Sequence, residues 1–414
     1  MTGDVVDRRA AAAAARLTGD QKRAALHAVA DAMAERFGEI AETNKDEFAR
    51  AERTGSVTGK ALRRMLVERP RFDRIINGVR WLAECPDPVG EISELRPQPN
   101  GLLVGRMRVP LGVIAAVYES RPEVTLEAAA MALKSGNAIV LRGGRESTRT
   151  NRLLVRIIQD CLKDVGVPPG TIRYVDDPSR EALWDLLGGD HRIDLVVARG
   201  SDAFIAEVRR RSPWPVLASG GGNCHIYVDA SADLDSATRI VLNAKLSAPT
   251  MCNAVETVLV HAAHAPGYVS SLVAELHRAE VAVHGCLQVC AAAPEATRAD
   301  EKDWRAEFLG PTVAMRVVPD LETAVDHINT YGTGHSEAIV TADLANARQF
   351  QYAVDAAAVF VNASTRFTYG YEFGLGPMLG VSTQKLHARG PIGVTDLTSR
   401  KFVVTGAGQL RTAP

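Results

Sequence analysis

The chain has 414 residues, with 48 Lys plus Arg against 49 Asp plus Glu, a formal net charge of −1, and 46% hydrophobic residues. That length exceeds what one ordinary core serves and implies two or three domains. The charge balance gives no electrostatic footprint for nucleic acid or an anionic membrane surface. The six cysteines (Cys85, Cys161, Cys224, Cys252, Cys286 and Cys290) include no CxxC pair, so neither a disulfide scaffold nor a metal site is expected, and a reduced, cytoplasmic location is.

No stretch approaches 18 uninterrupted apolar residues, so no membrane span is expected. Asp4, Asp7, Arg8, Arg9 and Arg16 around an alanine run read as the start of an amphipathic helix rather than a secretory signal. No lipidation signal is read at Gln409 to Pro414. Up to about Cys85 the apolar residues recur at three and four spacing, which predicts helices broken by Pro86 and Pro88. Pro99-Asn100-Gly101 is turn chemistry, and with Leu102–Val104 and Met107–Val109 beside it predicts a hairpin arm.

After Pro110 the rhythm becomes regular. Strands are predicted at Gly112–Tyr118, Ala138–Leu141, Ile172–Val175, Ile193–Val197 and Val216–Leu217. Helices are predicted from Pro122 to Leu133, through Leu153 to Leu162, and at Arg180–Leu187 and Phe204–Arg211. This alternation implies βαβ crossovers and a parallel sheet with ligands at the carboxyl ends of its strands. From Asp229 a second series begins. It has a helix Asp233–Leu246, then strands at Thr257–His261, Thr312–Val318, Ala338–Thr341 and Val359–Val361. Lys401–Val404 is a lone final strand that needs a partner from the arm or from a second subunit.

Four segments carry possible chemistry. Cys252, in Ser247–Ala254, lies in a loop between a long helix and a strand, where a thiolate nucleophile finds exposure and positive potential; an inert buried cysteine is the competing reading. Leu141–Ser147 ends a strand and opens a helix, so its backbone N–H groups with Arg142 and Arg145 suit an anion, although the spacing is not G-x-G-x-x-G. Gly220-Gly221-Gly222 permits close backbone approach or simply a turn. The run from Ser382 to Pro391 sets Lys385, His387 and Arg389 between glycines, which suits a carboxylate, a phosphate or a solvated loop.

In order along the chain, several strings resemble the aldehyde dehydrogenase superfamily. They include Arg108–Val113, Tyr118–Pro122, Leu133–Ala138, Leu141–Gly144, Cys252–Thr257, Asp326–Asn329, Tyr331–Thr341, Val361–Phe367, Glu372–Gly376 and Ser382–Pro391. The resemblance covers essentially the whole chain. It implies an α/β fold of two doubly wound parallel-sheet domains with a β-hairpin oligomerisation arm. The cofactor-binding domain is then 1–91 and 111–229, the catalytic domain 230–394, and the arm 92–110 and 395–414.

The resemblance makes Cys252 the nucleophile, with Asn253 beside it. It places Arg142, Gly143, Gly144 and Arg145 at the adenosine ribose of NADP(H) and Glu307 at the nicotinamide ribose. Arg121, Arg366, Lys385, His387 and Arg389 are substrate candidates. The implied reaction is NADPH-dependent reduction of L-glutamyl 5-phosphate to the semialdehyde through a cysteine thioester, in proline biosynthesis. A kinase, glutamate 5-kinase, would supply the acyl phosphate, and a homodimer or homotetramer is expected. Leu217–Gly221 lacks the glutamate base of hydrolytic members, which favours hydride or phosphate over water at the thioester. Glu123 stands where the pattern has Asn, Ala218-Ser219 where it has Lys-His, and Ala248 where it has Arg. These departures keep two alternatives open: a reductase of a different acyl phosphate, and a silent binding protein that kept the fold.

Overall fold

The computed structural model describes residues 8–55, 57, 59–188 and 192–411. Asp4, Asp7 and the last three residues of the expected arm lie outside the described residues. The chain divides into two compact units, one of residues 1–219, 374–380 and 392–414 and the other of residues 220–373 and 381–391.

The first unit opens with α1 (Arg8–Ala14), α2 (Gly19–Glu35), α3 (Phe37–Thr54), α4 (Gly59–Met65) and α5 (Arg69–Glu84). Thr18 caps α2 in a capping box with Gln21, which satisfies two N–H groups that a helix start leaves orphaned. The predicted hairpin is present as β1 (Ile92–Pro97) and β2 (Leu103–Pro110). Then come β3 (Val113–Tyr118), α6 (Glu123–Lys134), β4 (Ala138–Arg142), α7 (Thr148–Asp164), β5 (Ile172–Tyr174), α8 (Arg180–Gly188), β6 (Leu195–Arg199), α9 (Asp202–Arg211) and β7 (Val216–Ser219). The strands run parallel in the order β7-β6-β3-β4-β5. β3 and β4 are buried along their whole length, as expected of a sheet covered on both faces. Gly136 ends α6 at φ +73°, and a Cβ there would press on Pro110 at 2.9 Å. Asn137 next to it accepts from the Gly112 N–H at 2.8 Å and donates to the Leu397 carbonyl at 2.8 Å. The Leu133–Ala138 string is therefore a structural lock.

The second unit has β8 (Cys224–Val228), α10 (Leu234–Leu246), β9 (Val255–His261), α11 (Tyr268–Arg278), β10 (Ala282–Gly285), α12 (Leu287–Ala292), β11 (Thr297–Arg298) and β12 (Thr312–Val318). It continues with α13 (Leu321–Tyr331), β13 (Ser336–Val340), α14 (Leu344–Ala353), β14 (Ala358–Val361), β15 (Val381–Ser382) and β16 (Gly390–Pro391). Seven parallel strands run β11-β10-β12-β9-β8-β13-β14. Val258, Val260, Val313, Met315 and the buried faces of α10 and α11 fill one side of this sheet. Tyr227, Ile328, Ile339 and Phe350 fill the other.

The division between units falls at 219/220, ten residues before the expected 229/230. Cys224–Val228 is a strand that pairs with β9 and β13 and so belongs to the second sheet. The final strand β17 (Thr398–Thr405) pairs antiparallel with β2, from Thr398↔Pro110 to Thr405↔Leu103. The chain's own arm supplies the partner that Lys401–Val404 needs, in a sheet ordered β1-β2-β17.

Candidate active site

Cys252 is half-buried and reduced, in the loop 247–254 between α10 and β9. This loop lies at the amino end of β9, opposite to the general rule for such sheets, because Val255 directly after it pairs with Cys224 at the start of β8. Both flanks are anchored. Behind it, Lys245 and Glu256 form a fully buried ion pair at 2.6 Å, and Lys245 also donates to the Val255 carbonyl at 3.0 Å. Burial pushes the Glu256 carboxyl up to about 7, with Lys245 opposing. The Cys252 carbonyl accepts from the buried Cys224 thiol at 3.1 Å.

Two of the three glycines act by close packing rather than by turning. A Cβ on Gly222 would lie 1.7 Å from the Cys252 carbonyl oxygen. One on Gly221 would lie 2.5 Å from Glu307, whose carboxylate accepts from the Gly222 N–H at 2.7 Å. The strand start is thereby laid directly against the nucleophile loop and the Glu307 carboxylate.

Asn253 is buried, and its amide donates to the carbonyls of Arg366 at 3.2 Å and Thr368 at 3.1 Å. Its side-chain oxygen accepts from Arg366, and its carbonyl accepts from Thr365 at 2.7 Å. Asn253 therefore fastens the segment 365–368 to the cysteine loop, and its donors are committed there. Arg366 also donates to Ser247 at 3.1 Å. Burial pushes its guanidinium down, while the Cys252 and Cys224 sulfurs favour its charged form. The attraction is mutual, so Arg366 supplies a cation for an anionic sulfur.

Sequence reasoning passed over the layer behind the loop. Cys224, His335, Ser336 and Thr368 are buried in one polar chain. The Cys224 thiol is 3.8 Å from His335 Nδ1, which is 2.8 Å from the Ser336 hydroxyl, itself 2.6 Å from that of Thr368. Glu337 accepts from the His225 N–H at 2.6 Å and lies 2.9 Å from His225 Nδ1. Burial pushes the Glu337 carboxyl up, and lowers His225 to about 3 and His335 to about 4. His225 and His335 are therefore neutral core residues. The only sequence signal was their place in Gly220–His225 and Tyr331–Thr341.

The expected cofactor residues do not all face a ligand. Arg142 is buried, and its guanidinium donates to the carbonyls of Gly143 at 3.0 Å, Pro178 at 2.8 Å and Ser179 at 2.9 Å. It ties β4 to the 176–179 segment. A Cβ on Gly143 would lie 2.1 Å from Asn151, and one on Gly144 2.2 Å from Glu146, so internal packing explains both glycines. Arg145 alone in this run is exposed, before the N-terminus of α7, and it has no ion pair among the described residues. It fits a nucleotide phosphate; Arg142 does not.

Of the remaining candidates, Lys385 and Arg389 both bridge Asp355, Arg389 at 2.9 Å. They tie down their loop. His387 is exposed beside them. Arg121, in the first unit at the carboxyl end of β3, is half-buried. Among the described residues no group of three His, Cys, Asp or Glu side chains is placed to hold a metal, and no helix is long and apolar enough to cross a membrane.

Two parallel-sheet units, a cysteine loop at the amino end of the second sheet and a small antiparallel arm define a class. The sequence profile of the aldehyde dehydrogenase family matches residues 2–286 and 294–376, and the chain belongs to that family. Its relatives are more specific. It is 46% identical over 404 residues to the gamma-glutamyl phosphate reductase of Moorella thermoacetica, covering 98% of this chain and 96% of that protein. It is 44% identical over 397 residues to the one from Carboxydothermus hydrogenoformans, covering 96% and 95%. The crystal structure of gamma-glutamyl phosphate reductase from Thermotoga maritima superposes with a TM-score of 0.94 at 39% identity, over 98% of both chains.

Proposed function

We propose that the protein reduces L-glutamyl 5-phosphate to L-glutamate 5-semialdehyde and phosphate with NADPH, through a thioester on Cys252. The observation that carries this reading is the Cys252 loop, anchored on both flanks with Arg366 as the cation for its sulfur. The names of the relatives support the substrate. The Cys252 thiolate attacks the acyl carbon, the carbon–oxygen bond to phosphate breaks, and inorganic phosphate leaves. Bound NADPH supplies a hydride to the thioester carbonyl. The resulting hemithioacetal collapses to the aldehyde and returns the thiolate. The Cys252 backbone N–H is the nearest candidate donor for the oxyanion, since the Asn253 amide is committed elsewhere. Arg145 would meet the nucleotide phosphate and Glu307 a ribose hydroxyl. Leu217–Gly221 offers no carboxylate to activate water, so the thioester persists for reduction.

An acyl phosphate hydrolyses readily, so the reading includes a kinase partner, glutamate 5-kinase, and a cytoplasmic location. The three-stranded arm is proposed to join subunits into a dimer or tetramer. Ala218-Ser219 and Ala248 remove cations that the resemblance leads one to expect, which favours a second reading, a different acyl phosphate. The test is phosphate-dependent oxidation of a panel of semialdehydes with NADP+ and with NAD+. Glutamate semialdehyde with NADP+ as the best pair supports the proposal. A different aldehyde as the best substrate moves it to the second reading, and no activity on any aldehyde rejects both.

A further inference from the structure

Four arginines from four separate segments of the first unit converge near the carboxyl ends of β3 and β6. They are Arg64 on α4, Arg71 at the start of α5, Arg121 after β3 and Arg199 at the end of β6, all half-buried. Each of the other three lowers the charge affinity of Arg121, and burial lowers it further, to about 9. Two of the four have carboxylate partners, Arg71 with Glu123 at 3.2 Å and Arg199 with Glu127 at 3.5 Å. Arg64 and Arg121 have no ion pair among the described residues. Four positive charges against two negative leave a surplus of two.

The loop that presents Arg121 is firmly held. Ser120 adopts φ +50°, a conformation an L residue rarely takes, and both its N–H (2.8 Å) and its hydroxyl (2.7 Å) donate to Glu146. Pro122 then starts α6, whose N-terminal end adds a positive dipole to the cluster. Glu123 is 2% exposed, and neither carboxylate oxygen has a hydrogen-bond partner. Converging like charges at partly desolvated positions cost stability unless an anion occupies the space between them. Planar guanidiniums match phosphate oxygens two at a time.

We infer that Arg64, Arg71, Arg121 and Arg199 form a binding site for a phosphate dianion, whose two negative charges match the surplus, with Glu123 setting how tightly it is held. The inference that this dianion is the phosphoryl group of the acyl phosphate, and the phosphate it releases, rests on the proposed function. The other source of the same chemistry is a phosphate of the nucleotide.

Two measurements on the full-length protein test the site. In the first, thermal melting is followed against inorganic phosphate, with chloride at matched ionic strength as the control. The wild type is expected to be stabilised saturably by phosphate. R121Q is expected to need at least about tenfold more phosphate for the same shift, the loss of one charge-assisted bidentate contact. E123Q is expected to need less, a gain that a merely structural role would not produce. R121K, which keeps the charge without the fork, falls between and covers the case in which R121Q does not fold. No phosphate-specific stabilisation of the wild type, or an unchanged response in R121Q and R121K, overturns the site.

In the second, KM for phosphate and KM for NADP+ are measured separately in aldehyde oxidation. A rise for phosphate alone in R121Q assigns the site to the acyl phosphate. A rise for NADP+ alone overturns that assignment in favour of the nucleotide. An enzyme that oxidises no aldehyde rejects the proposed function, while the melting measurement still decides the site.

Discussion

Replacing Gly222 with alanine tests whether the start of β8 sets the position of the nucleophile. The added Cβ would lie 1.7 Å from the Cys252 carbonyl oxygen, 2.7 Å from its carbon and 3.2 Å from the His335 ring. Relieving the first contact to about 3.2 Å requires a movement of about 1.5 Å. The obstacle is backbone, held from the far side by the Cys224 thiol at 3.1 Å, and cannot rotate away like the end of a flexible side chain. Overpacking of this kind costs about 1–3 kcal/mol of stability. A displacement of about 1 Å at a reacting group costs about a hundredfold in rate. G222A is therefore expected to lower kcat about a hundredfold, with a modest fall in melting temperature and NADP+ binding nearly unchanged. Gly38 near the start of α3 is the control, because an added Cβ meets nothing within 4 Å. G38A should keep full activity and melt at the same temperature or higher. A G222A enzyme with kcat within twofold of wild type would refute the claim that β8 positions the cysteine.

Removing the cation beside the sulfur has its own signature. R366Q is expected to slow alkylation of Cys252 by iodoacetamide at neutral pH about tenfold, the equivalent of one pK unit, after subtraction of labelling in C252S. Acid stability reports on the buried histidines. His335 has its ordinary value near 6.5 when unfolded and about 4 when folded, so the unfolded chain binds the extra proton first. Its contribution is complete above pH 6.5 and is lost as pH falls toward 4, by about 3 kcal/mol at the lower end. Glu337, raised by burial, acts in the opposite direction over part of that range. The comparison is therefore H335N against wild type by denaturant unfolding at pH 7 and pH 4. H335N should lose less stability than wild type between the two, and equal losses would contradict a neutral His335.

The sequence carried the architecture well where the chain is periodic. Short β-branched runs alternating with helical stretches mark β3 to β7, because strands buried on both faces must be continuously apolar. Helices α11, α13 and α14 went unmarked, as did strand β10. Strand β8 was recognised as apolar but assigned to the wrong unit, since nothing local distinguishes one parallel strand's sheet from another's.

At the site, a reactive-looking cysteine in a loop was legible, and its flanking string carried the family. What the loop packs against was not legible, because contacts between residues 222 and 252, or 253 and 366, are far apart in sequence. For the same reason Arg142 reads as an anion ligand from its βα turn, yet in the fold it is spent on carbonyls around residue 178. Lys385 and Arg389 likewise read as a basic pocket and instead share Asp355. Glu123, which in sequence was only a departure from a pattern, acquires a partner in Arg71.

The central claim is that Cys252 is acylated during turnover. Enzyme mixed with L-glutamyl 5-phosphate generated in place, with NADPH withheld, is quenched in acid and its intact mass and peptides are read. The account predicts a glutamyl adduct on the peptide containing Cys252 that forms within one turnover, disappears when NADPH is added and is absent from C252S. Undiminished turnover by C252S, or turnover by wild type with the adduct on another residue, would contradict it.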